Sequence, residues 1–287
     1  MLMKLKVTIV AIAAALCVFG FYALQPEEKK TKEQAILEYV FTSTQNYHYL
    51  DVKIDDGFSE KAYNQYLKTI DRSKRVLLAS DVEQLSKYTR SIDDEINNGG
   101  ALDFYNEAQV IITKREAEIE SVFKDILSKP FDFSIVESVE TDEEKRSFPA
   151  HELERKELWR KLLKYQVLSR YYNLKERIET DSAKTKKSDI ELEKEAREKV
   201  LKSYEEWSKS LKQVDAAEQF SLYVNALMSV YDPHTSYFAP VEKKDFDIHM
   251  TGRLEGIGAT LQEKDGYVKV TAIVPGSASW KQGELEA

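Results

Sequence analysis

The sequence predicts a mainly α protein: a multi-helix domain followed by the first part of a small α+β domain. Between residues 31 and 230, apolar residues recur every three or four positions among lysines and glutamates, which is the period of amphipathic helices. After residue 250, apolar and polar residues alternate, which is the period of β-strands. The predicted parts are an export segment at 1–24, the helical domain at 31–230, a connecting segment at 231–250 and the α+β part at 251–287.

The composition limits the classes of function. The chain has 287 residues, of which 42% are apolar and 32% charged, so it can bury a core. Its net charge is -8 and no basic stripe runs between exposed aromatic residues, which argues against a nucleic-acid partner. The sequence contains no phosphate-binding loop and no dinucleotide fingerprint, so we expect no cofactor.

The helical windows have recognisable start and stop signals. Ser80 is followed three residues later by Glu83, which is the spacing of a capping box, and residues 97–100 read Asn-Asn-Gly-Gly, a helix stop. Asp215 and Glu218 are placed to cap the last helix of the domain. The helical windows are residues 31–43, 58–71, 79–100, 102–127, 151–179 and 215–232.

Two stretches between these helices have another pattern. Residues 131–138 alternate apolar and polar side chains, which predicts a short extended piece. Residues 180–199 carry almost no large apolar side chain. We therefore expect a linker in the first half of that stretch and a solvated helix in the second half.

The N-terminus has the pattern of an export signal. Lys4 and Lys6 precede an apolar run at residues 7–24, and Pro26 follows it. The run is near the lower length limit of a membrane-spanning helix, so both cleavage and retention as a membrane anchor stay open. Cys17, the single cysteine of the sequence, lies inside this run and follows Leu16, where a lipidation signal needs a small residue.

The α+β part predicts a hairpin and a short helix. The sequence after residue 258 reads as a strand, a tight turn at Lys264-Asp265-Gly266 and a second strand. Ser277 is then a plausible N-cap of a short helix, and Gly283 a plausible stop.

The residues directly before the first strand suggest a binding site. Gly256 and Gly258 flank Ile257, and glycines allow a positive φ and close approach of a ligand. Successive amides in such a turn can point at one spot and bind an anion. A peptide carboxylate would then occupy the turn of Gly256, Ile257, Gly258 and Ala259, while the attached tail pairs with the strand at Thr260 and Leu261. This is the logic of PDZ domains; the alternative is a hairpin lead-in with two turn glycines.

Two further motifs carry a structural interpretation beside a chemical one. Asp232, Pro233 and His234 could suggest a metal or catalytic site, but Asp-Pro is a strong turn former and one His with one Asp is too few ligands for zinc. We interpret them as a structural turn that sets the path from the helical domain to the PDZ-like part. Ser277 and Ser279 imitate a nucleophile motif, yet they stand where turn chemistry is expected.

The remaining candidates suggest no site. His48, His151 and His249 are scattered along the sequence. The acidic run Asp93-Asp94-Glu95 is interpreted as a solvated helix face rather than a metal site. We therefore predict no catalytic residue and no metal ligand.

Three stretches together resemble the tail-specific, or carboxy-terminal processing, proteases of the long bacterial subtype. YLKTIDRSKRVLLASDVEQL at residues 66–85 is similar to a helix, turn and LLASDV segment of that family. YDPHTSYFAP at residues 231–240 resembles its DPH[ST]xY[FL] signature, and LEGIGATLQ at residues 254–262 resembles the opening of its PDZ domain.

This resemblance implies a serine endopeptidase of the bacterial cell envelope, located in the periplasm. The PDZ part would capture the C-terminal tails of unfolded or tagged proteins, and a later domain would cleave them with a Ser nucleophile and a Lys base. An envelope adaptor protein is a further candidate partner, and residues 7–24 a candidate anchor in the inner membrane. The alternative is a non-enzymatic exported scaffold that binds peptide tails.

Overall fold

The computed structural model describes residues 30–180, 187–251, 256–264 and 267–286. Within these ranges the chain is mainly helical with one two-stranded antiparallel sheet, which confirms the predicted mainly α class. The helices are α1 (Lys32–Tyr47), α2 (Asp56–Asp71), α3 (Ala79–Leu85), α4 (Ile92–Asn97), α5 (Asp103–Leu127), α6 (Glu152–Thr180), α7 (Asp189–Gln213), α8 (Ala216–Met228), α9 (Pro240–Thr251) and α10 (Ala278–Gln282), and the strands are β1 (Ala259–Lys264) and β2 (Tyr267–Ile273).

The helical part has two hydrophobic cores. The first lies between α1, α2, α4, α8 and the start of α5, and Phe104 and Tyr223 are fully buried at its centre. The second lies between the end of α5, α6 and α7, around the fully buried Trp159. Burying one large apolar side chain stabilises a fold by about 1.5–3 kcal/mol, so both cores contribute substantially.

Helix α5 is long enough to join the two cores. Its first turns place Phe104 and Ala108 in the first core, and its later turns place Ile119 and Phe123 in the second. At 1.5 Å per residue, a helix of 25 residues spans roughly 37 Å, which is sufficient for both.

The chain also crosses between the cores without regular structure, at residues 72–78. Val76 packs in the second core and Leu77 in the first. The buried carboxylate of Asp71 accepts the N–H groups of residues 75–77 at 2.9–3.1 Å. Burial raises the pKa of Asp71 above its ordinary value in spite of these bonds. The carboxylate thereby satisfies amides that a strand or helix would otherwise pair.

A buried ion pair holds the far end of this crossing. Arg115, in the middle of α5, makes a bidentate contact with Asp81 at 2.7 and 2.8 Å. Burial raises the pKa of Asp81, but hydrogen bonds from Arg115 and from the N–H of Leu78 outweigh that effect and hold the pKa below its ordinary value. Arg115 also contacts Glu118 and Glu152, and Glu118 in turn contacts Arg155. This network of ion pairs connects α3, α5 and α6.

Three predictions for the helical part differ from the structure. Ser80 is not the predicted cap, because α3 begins at Ala79 after the N-cap Leu78, whose N–H donates to Asp81. The window 79–100 contains two short helices joined by a 3-10 turn at Ser86–Tyr88. Asp93 and Glu95 are buried, contrary to the solvated face predicted, since Ser59 hydrogen-bonds Asp93 at 2.5 Å and the Phe104 N–H binds Glu95 at 3.1 Å.

Three further expectations differ from the structure. Residues 131–138 contain a turn at residues 133–134 and no strand. Helix α7 is not solvated on all sides, because Leu192, Ala196 and Val200 recur at intervals of four and are buried against the second core. The connecting segment contains helix α9, which begins at Pro240. This helix was not predicted from the sequence.

None of the helices within the described ranges is both long and apolar enough to cross a membrane. The predicted export segment at residues 7–24 lies outside those ranges.

Removing one member of the Asp81–Arg115 pair should strongly destabilise this region. We expect Asp81→Leu to lower the free energy of unfolding by about 3–5 kcal/mol, because it leaves the Arg115 guanidinium buried without its main partner. The double variant Asp81→Leu/Arg115→Met should recover a large part of that loss, since neither charge is then buried. Urea unfolding at pH 7 measures both.

The matched control is Glu144→Gln, which breaks the exposed Lys68–Glu144 contact. It should leave the unfolding midpoint nearly unchanged, because exposed ion pairs contribute little. A double variant as unstable as Asp81→Leu would contradict the explanation that the unpaired charge of Arg115 causes the loss.

Candidate peptide-binding site

The predicted hairpin is present. Strands β1 and β2 pair antiparallel from Ala259 opposite Ile273 to Lys264 opposite Tyr267, with an irregularity between Thr260 and Leu261. Both predicted strands are thus confirmed, while residues 265–266 of the predicted turn lie outside the described ranges.

The short helix that follows is capped as predicted. The Ser277 hydroxyl accepts the N–H of Trp280 at 3.3 Å, so Ser277 is the N-cap of α10. Gly283 ends the helix with a φ of 77°, a left-handed conformation that glycine adopts without strain.

The turn before β1 is held in place by its carbonyl groups. The Ile257 carbonyl accepts the N–H of Ser279 at 3.0 Å. The Gly258 carbonyl accepts the N–H of Val274 at 2.8 Å and the Ser277 hydroxyl at 3.3 Å. Three hydrogen bonds therefore fix this turn against the end of β2 and the start of α10.

Gly258 is required at its position. Its φ is 77°, and a Cβ atom built there would lie 2.0 Å from the Ser277 Cβ. Gly256 is different, because its φ is not positive and an added Cβ would meet no atom within 4 Å. The two glycines of the motif consequently have unequal roles.

The N–H groups of the same turn lack, within the described part of the chain, the internal partners that its carbonyls have. Within the described ranges, the N–H groups of Ile257 and Gly258 donate to no backbone or side-chain oxygen. β1 pairs on one side with β2, and its other edge has no partner among the described residues. Ile257 and Leu261 expose more than half of their side chains beside this edge. Such an arrangement can accept a carboxylate at the turn and a strand along the edge.

Both serines of the nucleophile-like motif have structural contacts. Ser277 caps α10 and donates to the Gly258 carbonyl. Ser279 is buried, and its amide is bound by Ile257. These contacts support the interpretation of residues 276–280 as turn chemistry.

The Asp232 turn docks on the helical part. Asp232 Oδ1 accepts the N–H of His234 at 2.7 Å, and Oδ2 accepts the Thr235 hydroxyl at 2.6 Å. Together with His48, these donors hold the pKa of Asp232 below its ordinary value. Pro233 and His234 are exposed on the outside of the turn, while the preceding Tyr231 is buried in the first core. These contacts support a structural role for the turn.

Sequence reasoning missed the partner of this turn, which is His48. The Leu50 N–H donates to Nδ1 of His48 at 3.1 Å, so Nε2 carries the proton and can donate to Asp232 at 3.0 Å. The two residues are 184 positions apart, and no local pattern marks such a pair.

Comparison with known proteins agrees with this architecture. Residues 40–241 match the family model described as the tail specific protease N-terminal domain. The chain belongs to the tail-specific protease family. The match of this tail-specific protease domain covers most of both helical cores and the Asp232 turn, and it ends before β1.

Curated relatives agree with the family. A tail-specific protease of Haemophilus influenzae is 32% identical over 242 residues, which are 83% of this chain and 32% of that protein. The carboxy-terminal processing protease CtpA of Bacillus subtilis is 30% identical over 102 residues, which are 36% of this chain and 21% of that protein. The chain thus spans about a third of the length of the first relative.

The unequal glycines give a direct test of the turn. We expect Gly258→Ala to open the contact between the turn and α10, because a positive φ costs a non-glycine residue about 1–2 kcal/mol and the added Cβ clashes with Ser277. Hydrogen exchange at the Ser279 amide, which Ile257 holds, should become at least about 10-fold faster.

Gly256→Ala is the matched control and should leave that exchange rate unchanged. Equal acceleration by both substitutions would show that the turn is not built as described.

Proposed function

We propose that this chain supplies the recognition part of an exported C-terminal processing serine endopeptidase. The helical domain positions a PDZ-like module, and the module binds the C-terminal tails of unfolded or tagged proteins. The proposed binding residues are Gly256, Ile257, Gly258 and Ala259 for the carboxylate and Thr260 and Leu261 for the strand.

The unsatisfied amides of the turn carry this proposal. The carbonyls of Ile257 and Gly258 are consumed by internal hydrogen bonds, whereas their N–H groups are free of protein partners in the described part of the chain. A turn anchored through its carbonyls presents its donors without further rearrangement. Donors of this kind suit a carboxylate, since hydrogen bonds to charged groups are stronger than neutral ones.

The strand beside the turn supports the same partner. An extended peptide can add to the open edge of β1, because its backbone groups pair as a new strand would. The exposed Ile257 and Leu261 offer apolar contact to alternate side chains of that peptide. Recognition would therefore use the terminal carboxylate and apolar residues close to it.

The proteolytic part of the proposal rests on the family. Both curated relatives are named as proteases, and the chain spans about a third of the tail-specific protease of Haemophilus influenzae. We place the catalytic Ser and Lys in a protease region of the full protein and not among Ser277, Ser279 or the described lysines. Location in the periplasm and anchoring through residues 7–24 belong to the same proposal.

Binding of a free carboxylate is the decisive measurement. A decapeptide that ends in three apolar residues should bind the chain about 10- to 100-fold more tightly with a free C-terminus than with an amidated one, because the amide loses charge-assisted hydrogen bonds of about 1.5–3 kcal/mol. Fluorescence anisotropy of the labelled peptide measures both constants.

Gly258→Ala should remove the difference between the two peptides, and Gly256→Ala should preserve it. Equal affinity of the two peptides for the unaltered chain would exclude the carboxylate site, and the proteolytic part of the proposal would then rest on the family alone.

A further inference from the structure

A buried carboxyl group lies at the corner between α4 and α5. Glu95 is only 8% exposed. Its Oε1 accepts the N–H of Phe104, one of the first amides of α5, at 3.1 Å. Its Oε2 is buried and has no hydrogen-bond partner among the described residues. The carboxyl therefore caps a 25-residue helix with one oxygen and leaves the other unpaired in the core.

The groups that face Glu95 offer no positive charge. Within the described ranges, no Lys, Arg or His lies within ion-pair distance of it, and Asp103 at the start of α5 adds a negative charge nearby. From α8, the Tyr223 hydroxyl is fully buried and also has no hydrogen-bond partner in the described part of the chain. Tyr66 of α2 and Tyr105 of α5 pack against the Tyr223 ring, with ring centroids 5.0 and 5.1 Å from it. In α4 itself, Asp93 is bound to Ser59.

These surroundings favour the neutral carboxyl. The Tyr223 hydroxyl can donate or accept, so it does not select a protonation state, whereas burial without a cation disfavours the charge. Burial, opposed by the Phe104 N–H and assisted by Asp103, raises the pKa of Glu95 to about 7.

The same residue organises the corner through its backbone. The Glu95 carbonyl accepts the N–H groups of Gly100 and Ala101, both at 3.0 Å. Gly100 has a φ of 79°, and a Cβ atom there would lie 2.7 Å from the Gln34 carbonyl of α1. Lys30 lies against Gly99 and pairs with Glu38. Side chain and backbone of Glu95 thus hold one corner against the first turn of α1.

We propose that Glu95 is a proton-controlled latch, which holds the α4–α5 corner and the start of α1 on the first core when neutral and loosens them when ionised. This device is independent of the proposed peptide site, because it lies in the helical domain and needs no ligand.

The direction of the pH dependence follows from the raised pKa of Glu95. In an unfolded or opened chain, the pKa of this glutamate has its ordinary value, near 4.5. The closed corner is therefore fully favoured below about pH 4.5 and loses stability as the pH rises through about 7. Above pH 8 the loss is complete and constant.

Hydrogen exchange of the 287-residue chain tests the latch. The amides of Gly100, Ala101, Phe104 and Asn106 report on the corner. The ratio of their exchange rates in the unaltered chain and in Glu95→Gln cancels the intrinsic pH dependence of exchange. We expect this ratio to rise about 10- to 100-fold between pH 5 and pH 8.5. The glutamine keeps an oxygen for the Phe104 N–H, so the variant should fold.

Two variants sharpen the test. Glu83→Gln removes an exposed charge in α3. The ratio of exchange rates between the unaltered chain and this variant should therefore not change with pH. Asp103→Asn removes the negative neighbour and should move the midpoint of the rise to lower pH.

Two outcomes would overturn the proposal. One is a ratio for Glu95→Gln that does not change with pH. The other is an equal rise at amides of the second core, such as Val200, which would mean that Glu95 acts on global unfolding and not on this corner.

Discussion

The helical domain depends on how the chain crosses between its two cores at residues 72–78. A crossing without regular structure leaves buried amides that need acceptors. Asp71 accepts three of them and Asp81 accepts the N–H of Leu78, while Trp159 and Arg155 donate to the carbonyls of Arg75 and Val76. Because both faces of the crossing are satisfied, Val76 and Leu77 can enter opposite cores. The two cores are thereby held in one relative position.

Contacts with the first core determine the path of the connecting segment. Tyr231 is buried against Phe41 and Phe58, at ring distances of 6.4 and 6.0 Å. Directly after it, Asp232 meets His48 at the end of α1. The chain therefore leaves the first core at a defined point and in a defined direction. Tyr237 is held as well, by two hydrogen bonds to Asn225 of α8.

In the turn before β1, the carbonyl groups and the N–H groups have different roles. Carbonyl groups of Ile257 and Gly258 anchor the turn to the end of β2 and the start of α10, and the N–H groups of the same two residues donate to no acceptor among the described residues. Ser277 serves both the turn and α10, so one hydroxyl couples the proposed carboxylate site to the helix. The family match ends at residue 241, before the hairpin.

The sequence by itself determined the helical class, most helix windows, both strands, the Asp215 and Ser277 caps and the family. These features depend on local periodicity, capping chemistry and short motifs, which neighbouring residues specify. The tertiary structure alone decided the His48–Asp232 pair, the Asp81–Arg115 contact, the burial of Glu95 and the packing of α7. Each of these joins residues far apart in the chain or depends on which face of a helix meets a core. A charged residue on a helix face reads the same in the sequence whether solvent or a buried partner covers it, and only the packing of distant elements distinguishes the two.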